Sequence, residues 1–194
     1  MNAKQAVPRS ANELKIQLVE LLKERGYERR DEAFQLASGA WSHDYVDCRR
    51  ALSRGDGLDL ASRAVAAHAA TIGEFDLVGG LTMGADPLAH GIAIVACKGW
   101  FSVRKEPKGH GTKQLIEGAQ ILPGTKVLLV EDVVTSGGSM LKSLEVVRQA
   151  GADVIAAVPL LDRGDVATKI FHDHGVTYSP LATYKDLGIE PVGS

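Results

Sequence analysis

The chain has 194 residues, with 22 Lys+Arg against 24 Asp+Glu, a formal net charge of −2 and 45% hydrophobic residues. This length and composition are typical of a single folded domain. The near-neutral charge excludes a generally basic nucleic-acid-binding protein, and 5% aromatic residues are too few for a base-stacking platform.

The two cysteines, Cys48 and Cys97, are too few for a disulfide framework. The first residues, MNAKQAVPRS, lack the apolar stretch of a signal peptide, and no apolar run reaches the roughly 18 to 20 residues that span a bilayer. We therefore expect a cytoplasmic protein with no membrane partner and no nucleic-acid partner.

The first 50 residues predict a helix followed by a hairpin. Ser10 and Glu13 have the spacing of a capping box, Gly26 ends the helix, and one helical face carries Leu14, Leu18, Leu21 and Leu22. Residues 34–47 predict two short extended segments that reverse around Ser38 and Gly39, with a second candidate turn at 42–44.

The rest of the chain alternates apolar strands with helices. Turn-rich SRGDGLD is followed by predicted helices at 59–72, 84–97, 138–150 and 165–174 and by strands at 75–80, 100–105, 126–134 and 153–161, with VTYSPLAT (176–183) closing the series. This alternation predicts an α/β fold, a central parallel sheet covered by helices on both faces. We expect one domain over 1–194, with a helix-and-hairpin hood at 1–50 and an α/β core at 59–187.

Ligands of such sheets bind beyond the carboxyl ends of the strands. Four segments, 82–86, 104–113, 131–139 and 162–165, directly follow or end predicted strands. We therefore expect them to lie around one rim of the sheet.

The segment VLLVEDVVTSGGSMLKSL predicts a phosphate site. A buried strand runs into two carboxylates and two valines, then into a hydroxyl- and glycine-rich turn before a helix: Glu131, Asp132, Val133, Val134, Thr135, Ser136, Gly137, Gly138 and Ser139. Backbone N–H groups of such a turn, together with the helix N-terminus, attract a phosphate. The segment is not a Walker A loop, because no lysine follows the glycines, and GxGxxG is absent as well.

The acidic pair indicates what accompanies the phosphate. Carboxylates beside a phosphate would repel it unless they bind another group, and vicinal ribose hydroxyls are the natural candidate. A sugar 5-phosphate follows from both features. The alternative is an ordinary strand-to-helix turn, but unpaired carboxylates at the end of a buried strand are costly without a role.

Residues 104–113 form a basic segment. Arg104, Lys105, Lys108 and Lys113 against Glu106 give a local charge of +3 with His110 neutral, while Pro107, Gly109 and Gly111 exclude a regular helix. The segment predicts a loop that brings cations to a polyanion and closes over it. The alternative is a solvated surface loop.

These segments resemble the orotate phosphoribosyltransferases. VLLVEDVVTSGGS is similar to the phosphoribosyl pyrophosphate (PRPP) motif of type I phosphoribosyltransferases, and VRKEPKGHG to the catalytic loop of the orotate members. The other similar segments are GGLTMGADP (79–87), LIEGA (115–119), the substrate hairpin LASGAWSHDYVD (36–47) and LLDRGD (160–165), so the resemblance covers about 30–187. It departs from the enteric-bacterial pattern at Ala37 and at Gly84 beside Met83, where that pattern has lysines.

The resemblance implies that orotate and PRPP react to give orotidine 5′-monophosphate and pyrophosphate, in de novo pyrimidine (UMP) biosynthesis. It implies Lys105, Lys108, His110 and Asp132 as catalytic residues. It also implies PRPP binding by these four with Arg104, Glu131 and residues 133–139, with backbone amides of 80–85 replacing a missing lysine. Orotate would contact Thr135, Arg163 and Tyr45, although Tyr45 fits equally an ordinary hairpin core residue.

The resemblance further implies Mg²⁺ held through PRPP with no direct protein ligand, and a homodimer whose 104–113 loop reaches the neighbouring active site. Two alternatives remain. One is a type I phosphoribosyltransferase acting on a purine or uracil, which Arg163 and the basic loop oppose. The other is a PRPP-sensing regulator that binds nucleic acid, which the net charge of −2 opposes.

Overall fold

The structure, a computed structural model, describes residues 10–35, 39, 41–107 and 114–192. It begins with helix α1 (Ala11–Leu21), which continues into a π-helical turn (Leu22–Gly26). The predicted capping box is confirmed: the Glu13 N–H donates to Ser10 Oγ at 3.2 Å, and the Ser10 N–H donates to the Glu13 carboxylate at 2.7 Å. All four predicted leucines are buried.

The hood continues with an antiparallel hairpin of β1 (Tyr27–Gln35) and β2 (Trp41–Val46), which confirms the predicted hairpin. Its first strand begins seven residues earlier than predicted. The candidate turn at 42–44 is wrong, because these residues lie within β2. The polar residues that suggest a turn instead form a local hydrogen bond within the strand, in which the Asp44 N–H donates to Ser42 Oγ at 3.0 Å. Ser38, at the predicted reversal, lies outside the described residues.

A short helix and a longer one follow the hairpin. The unpredicted α2 (Cys48–Leu52) begins at Asp47, whose carboxylate accepts from the Arg49 N–H at 3.1 Å. Helix α3 (Gly55–Ala69) starts four residues before the predicted start, inside the segment expected to form a turn. Gly57 is buried against Ala51 of α2, and this packing outweighs the low helix propensity of glycine.

The central sheet has six strands in the order β5-β4-β3-β6-β7-β8. Their bounds are β3 (Leu77–Leu81), β4 (Gly99–Val103), β5 (Ile116–Gly118), β6 (Lys126–Val134), β7 (Asp153–Asp162) and β8 (Ala182–Thr183). The remaining helices are α4 (Asp86–Ala96), α5 (Gly138–Gln149), α6 (Ala167–Asp173) and a short α7 (Tyr184–Leu187).

The predicted central sheet is confirmed with one addition. All neighbouring strands pair in parallel except β5, an edge strand that pairs antiparallel with β4. Three residues are too few for β5 to show a strand period in the sequence. The closing segment is also shorter than predicted, because Pro180 interrupts it and only a single bridge between Ala157 and Tyr178 precedes β8.

Helices cover both faces of the sheet, as predicted. Alternate residues of β6 belong to different apolar clusters: Leu128 and Val130 pack with α1 to α4, whereas Val127 and Leu129 pack with α5 and α6. None of the helices in the described ranges is both long and apolar enough to cross a membrane. Because β3, β4, β6 and β7 pair in parallel, their carboxyl ends lie at one rim of the sheet, which the hood hairpin adjoins.

Candidate active site

The turn between β6 and α5 forms the wall of a pocket of about 360 Å³. Gly137 has φ +83°, a left-handed conformation that an L side chain rarely adopts, and the next residue begins α5. The first N–H groups of that helix have no partner within it, so they are available to an anion. The pocket is lined by Val46, Glu131, Val133, Val134, Thr135, Ser136, Gly137, Gly138, Ser139, Met140 and Arg163.

Arg163 reaches this pocket from the end of β7. Its backbone N–H donates to the Val134 carbonyl at 2.8 Å, and the adjacent Gly164 lies so close to Thr135 that a Cβ there would be 2.1 Å from the Thr135 carbonyl oxygen. Asp162 fixes the same turn, because its carboxylate accepts from the Gly164 N–H at 2.9 Å and from the Tyr178 hydroxyl at 2.7 Å. The arginine is thereby held beside residues 135–137, the phosphate turn that the sequence predicts.

The Arg163 guanidinium is buried without sufficient partners. The residue is 3% exposed, and its Nε and Nη2 have no hydrogen-bond partner among the described residues. Burial lowers the pKa of Arg163, while the nearby Asp44 carboxylate acts in the opposite direction. Because an unpaired buried charge is costly, and the planar fork of arginine matches a carboxylate, the geometry calls for an anionic, planar ligand.

Strand β2 of the hood supplies the other side of the pocket. Asp44 is 8% exposed, and its Oδ1 accepts from the Tyr27 hydroxyl at 2.9 Å and from Arg29 Nη1 at 3.0 Å. Burial and this carboxylate raise the pKa of Tyr27. Val46, two residues after Asp44, lines the pocket, so the face of β2 that bears both residues is the face turned towards Arg163.

Tyr45 lies on the opposite face of β2. Its ring packs against the guanidinium groups of Arg30 and Arg50, at 4.3 and 5.2 Å, and against the Phe34 ring at 5.6 Å. It is not among the residues that line the pocket. This geometry favours the second of the two alternatives for Tyr45, that of a residue packed within the hairpin.

The acidic pair lies at the end of β6, beneath the loop at 82–85. Glu131 is 6% exposed and its Oε2 has no hydrogen-bond partner within the described residues. Burial and the neighbouring Asp132 carboxylate raise the pKa of Glu131 to about 8. Asp132 is half-buried, and its Oδ1 accepts from the Val133 N–H at 2.9 Å.

Gly84 lies directly on these two carboxylates. A Cβ added to it would be 2.6 Å from Asp132 Oδ1 and 2.6 Å from Glu131 Oε1. The sequence marks this position only as the place of a missing lysine. The structure shows that its lack of a side chain lets the loop approach the acidic pair.

Polar side chains to which the sequence analysis assigned no role hold this loop in place. The Asp86 carboxylate accepts from the Thr82 hydroxyl at 2.7 Å and from the Ser102 hydroxyl at 2.6 Å. The Thr82 N–H also donates to the Val103 carbonyl at 2.8 Å, and the Thr82–Met83 peptide bond is cis. The four-residue spacing of Thr82 and Asp86 at the start of α4 is the only sequence signal for this network.

The described part of the basic loop begins on the same rim, at the end of β4. Arg104 faces the stem of the loop, with Nη1 3.6 Å from Glu117 Oε1 and Nε donating to the Glu106 carbonyl at 3.3 Å. The Lys105 carbonyl accepts from the Lys142 ammonium of α5. Lys108, His110 and Lys113 lie outside the described residues, as does Ala37 of the hairpin.

The carboxylates at the rim are the candidate protein ligands of the expected Mg²⁺. Within the described ranges, no group of three or more His, Cys, Asp or Glu side chains could hold a metal ion. Glu131 and Asp132 nevertheless offer the hard oxygen donors that Mg²⁺ accepts when substrate phosphates supply the other ligands. The donor set therefore fits a magnesium ion bound together with a phosphorylated substrate.

Known proteins resemble this chain in sequence and in fold. The model of the phosphoribosyl transferase domain matches residues 58–178. The orotate phosphoribosyltransferase of Rhodopirellula baltica is 40% identical over 193 residues, which covers 94% of this chain and 98% of the relative. That of Methanothermobacter thermautotrophicus is 38% identical over 179 residues, covering 92% and 97%. The solved orotate phosphoribosyltransferase of Mycobacterium tuberculosis in complex with PRPP has a TM-score of 0.74 and 30% identity, covering 91% of this chain and 99% of that chain.

The raised pKa of Glu131 predicts how the free energy of unfolding depends on pH. A carboxyl whose pKa is about 8 in the folded state and near its usual 4.5 when unfolded binds more protons when folded, so it destabilises the fold as pH rises from 4.5 to 8. Glu131→Gln removes this dependence. We expect the free energy of unfolding of the variant, relative to wild type, to be at least about 1 kcal/mol higher at pH 9 than at pH 5. Urea unfolding of the ligand-free proteins measures this, and a difference that does not change with pH would contradict the prediction.

Proposed function

The chain belongs to the orotate phosphoribosyltransferases, a family with the phosphoribosyl transferase domain, and on this premise we propose that it transfers the 5-phosphoribosyl group of PRPP to orotate. The products are orotidine 5′-monophosphate and pyrophosphate, an intermediate and a by-product of de novo pyrimidine (UMP) biosynthesis. The enzyme is thus a pentosyltransferase.

The observation that carries this proposal is the buried Arg163 guanidinium in the same pocket as the phosphate turn. The orotate carboxylate supplies a planar, two-point acceptor for its unpaired N–H groups. Uracil and the purines have no carboxylate, so they would leave this charge buried and unpaired. Orotate, next to Thr135 and Arg163, is therefore the base that this pocket favours.

PRPP fits the remaining groups of the pocket. Its 5-phosphate would accept hydrogen bonds from the backbone N–H groups of the turn and of the α5 N-terminus, together with the hydroxyls of Thr135, Ser136 and Ser139, while Val133 and Val134 form the floor. The ribose hydroxyls would bind Glu131 and Asp132 and give Glu131 Oε2 the partner that it lacks. The M. tuberculosis relative was solved in complex with PRPP.

The reaction breaks the bond between ribose C1 and the diphosphate oxygen, and the electron pair leaves with pyrophosphate. N1 of orotate supplies the pair of the new C1–N1 bond, and the proton that it gives up goes to the departing pyrophosphate. Positive charge develops on the ribosyl ring and negative charge on the leaving group, so catalysis rests on charges placed in advance. Asp132 would stabilise the ring, and the leaving group would be neutralised by Arg104, Lys105, Lys108 and His110.

The leaving diphosphate also calls for a divalent cation. When bound, Mg²⁺ supplies positive charge to the diphosphate oxygens. PRPP itself would provide most of its ligands, and Glu131 and Asp132 would be the carboxylates of this chain available to it. Of the backbone amides of 80–85, those of Thr82 and Ala85 already donate to the Val103 and Leu81 carbonyls. The N–H groups of Met83 and Gly84 would therefore bind the diphosphate, in place of the lysine found in this loop in enteric-bacterial relatives.

Substrate selection tests the proposed function. We expect the purified chain to consume orotate, and not uracil or adenine, when each is supplied with PRPP and Mg²⁺. Arg163→Lys keeps the charge but loses the planar fork, so the KM for orotate should rise at least about tenfold while the KM for PRPP changes less than about twofold. Arg148→Lys is the matched control, because its guanidinium donates to the His174 carbonyl at the surface and does not line the pocket. Equal effects of Arg163→Lys on both KM values would remove Arg163 from the base site.

Gly84→Ala tests the approach of the 82–85 loop to the acidic pair. The added methyl group meets two carboxylate ends, which are able to rotate, so the fold should tolerate it. The carboxylates must then leave the position that receives the ribose hydroxyls, and we expect the KM for PRPP to rise about tenfold, as for the loss of a hydrogen bond to a charged group. Gly73→Ala is the control, because nothing lies within 4 Å of the added Cβ. An unchanged KM for PRPP in Gly84→Ala would contradict the assignment.

We further propose a homodimer in which the 104–113 loop reaches the partner's active site. Apolar side chains are exposed beside the strand that leads into this loop: Ile94 of α4 is 77% exposed and Trp100 of β4 is 40% exposed. The ring of His90, one turn before Ile94, contacts the Trp100 ring edge-on at 4.4 Å. A second copy bound to this face would pack against β4, the strand from whose carboxyl end the loop leaves.

The oligomeric state tests this surface. Wild type should elute as a dimer in size-exclusion chromatography with light scattering, and Ile94→Glu should shift it to monomer, because a charge at an apolar interface remains unpaired. Leu122→Glu, at a side chain that is 55% exposed in the segment between β5 and β6, should leave the dimer intact. A monomeric wild type, or a dimeric Ile94→Glu, would refute the proposed interface.

A further inference from the structure

One lysine joins the start of the basic loop to the helix of the phosphate turn. Lys142 lies one helical turn after Gly138, where α5 begins, and its ammonium group donates a hydrogen bond to the backbone carbonyl of Lys105. The two residues are 37 positions apart in the chain. Because the donor is charged, this hydrogen bond is stronger than one between neutral groups.

The position of Lys105 makes this contact significant. The stem of the loop is closed by the sheet as far as the pair of Val103 and Ile116, and then by the Arg104 N–H, which donates to the Leu115 carbonyl at 2.8 Å. Lys105 is the first residue beyond that closure. The Lys142 hydrogen bond thus holds the chain where backbone pairing with the other arm of the loop has ended.

The same side of α5 also faces the other end of the loop. Val146, four residues after Lys142, lines a cavity of about 570 Å³ together with Gln114 and Leu115. Residues four apart on a helix share a face. The placement of Lys142 beside the loop stem therefore follows from the packing of α5 as well as from the hydrogen bond.

We propose that Lys142 is a positioning residue, which fixes the start of the catalytic loop relative to the phosphate turn. The inference rests on the proposed function, in which Lys105 contributes charge to the departing diphosphate. The helix that binds the 5-phosphate at its N-terminus then also holds the Lys105 backbone. The two ends of PRPP are thereby bound by groups whose separation α5 sets.

We expect loss of this hydrogen bond to lower kcat rather than to change the binding of orotate. Without the hydrogen bond, the Lys105 backbone must be ordered in each catalytic cycle. The entropy cost of fixing one residue corresponds to about tenfold in rate. Lys142→Met keeps the length and most of the apolar stem of the side chain but removes the donor. We expect kcat to fall about tenfold, with the KM for orotate unchanged because Arg163 and Thr135 are untouched.

Two variants and one independent readout separate this role from a general defect. Lys142→Arg restores a charged donor and should recover most of kcat. Lys126→Met, at an exposed lysine at the amino end of β6, away from the rim that bears the site, should behave as wild type. In the absence of substrates, trypsin should cleave after Lys105 faster in Lys142→Met than in wild type or Lys142→Arg, as followed by mass spectrometry.

The outcomes are decisive. Unchanged kcat in Lys142→Met, a loss that Lys142→Arg does not recover, or equal cleavage after Lys105 in all variants would each overturn the positioning role. A wild-type protein that consumes no orotate would instead refute the proposed function. The cleavage experiment needs no turnover, so it tests the contact between Lys142 and Lys105 in either case.

Discussion

Two ionisable groups, Glu131 and Arg163, are buried in one pocket with side-chain atoms that no described residue satisfies. A fold retains such groups against their desolvation cost when a ligand completes them. Glu131 lacks a partner on the side of the sugar, and Arg163 lacks one on the side of the base. The phosphate turn, between β6 and α5, offers backbone N–H groups to a phosphate. A sugar phosphate and a carboxylated base would therefore together satisfy the whole pocket.

Close backbone packing, rather than side-chain reach, brings these groups together. The turn after β7 is pressed against Thr135 at Gly164, and the 82–85 loop is pressed against the acidic pair at Gly84. A side chain at Gly164 would require the backbone of Thr135 to move, and one at Gly84 would require the two carboxylates to rotate away. Glycine at both positions therefore keeps the groups of the rim close together, which suits a reaction whose catalysis depends on charges placed before the bond breaks.

The hood contributes through one strand with two different faces. Asp44 and Val46 face Arg163 and the pocket, whereas Tyr45 packs between arginines on the other side. The sequence predicted the hairpin but left two alternatives for Tyr45. Only pairing of β1 with β2, in a register interrupted between Arg29 and Phe34, decides which side chains turn inward.

By itself, the sequence determined the main strands and helices of the core, the phosphate turn, the acidic pair and the family. These depend on apolar periodicity and turn chemistry, which are patterns of residues close together in the sequence. The tertiary structure decided the early start of α3, the edge strand β5, the contact of Gly84 with the carboxylates and the hydrogen bond from Lys142 to Lys105. Each of these depends on packing between segments distant in the chain, and no local pattern records which distant groups will meet.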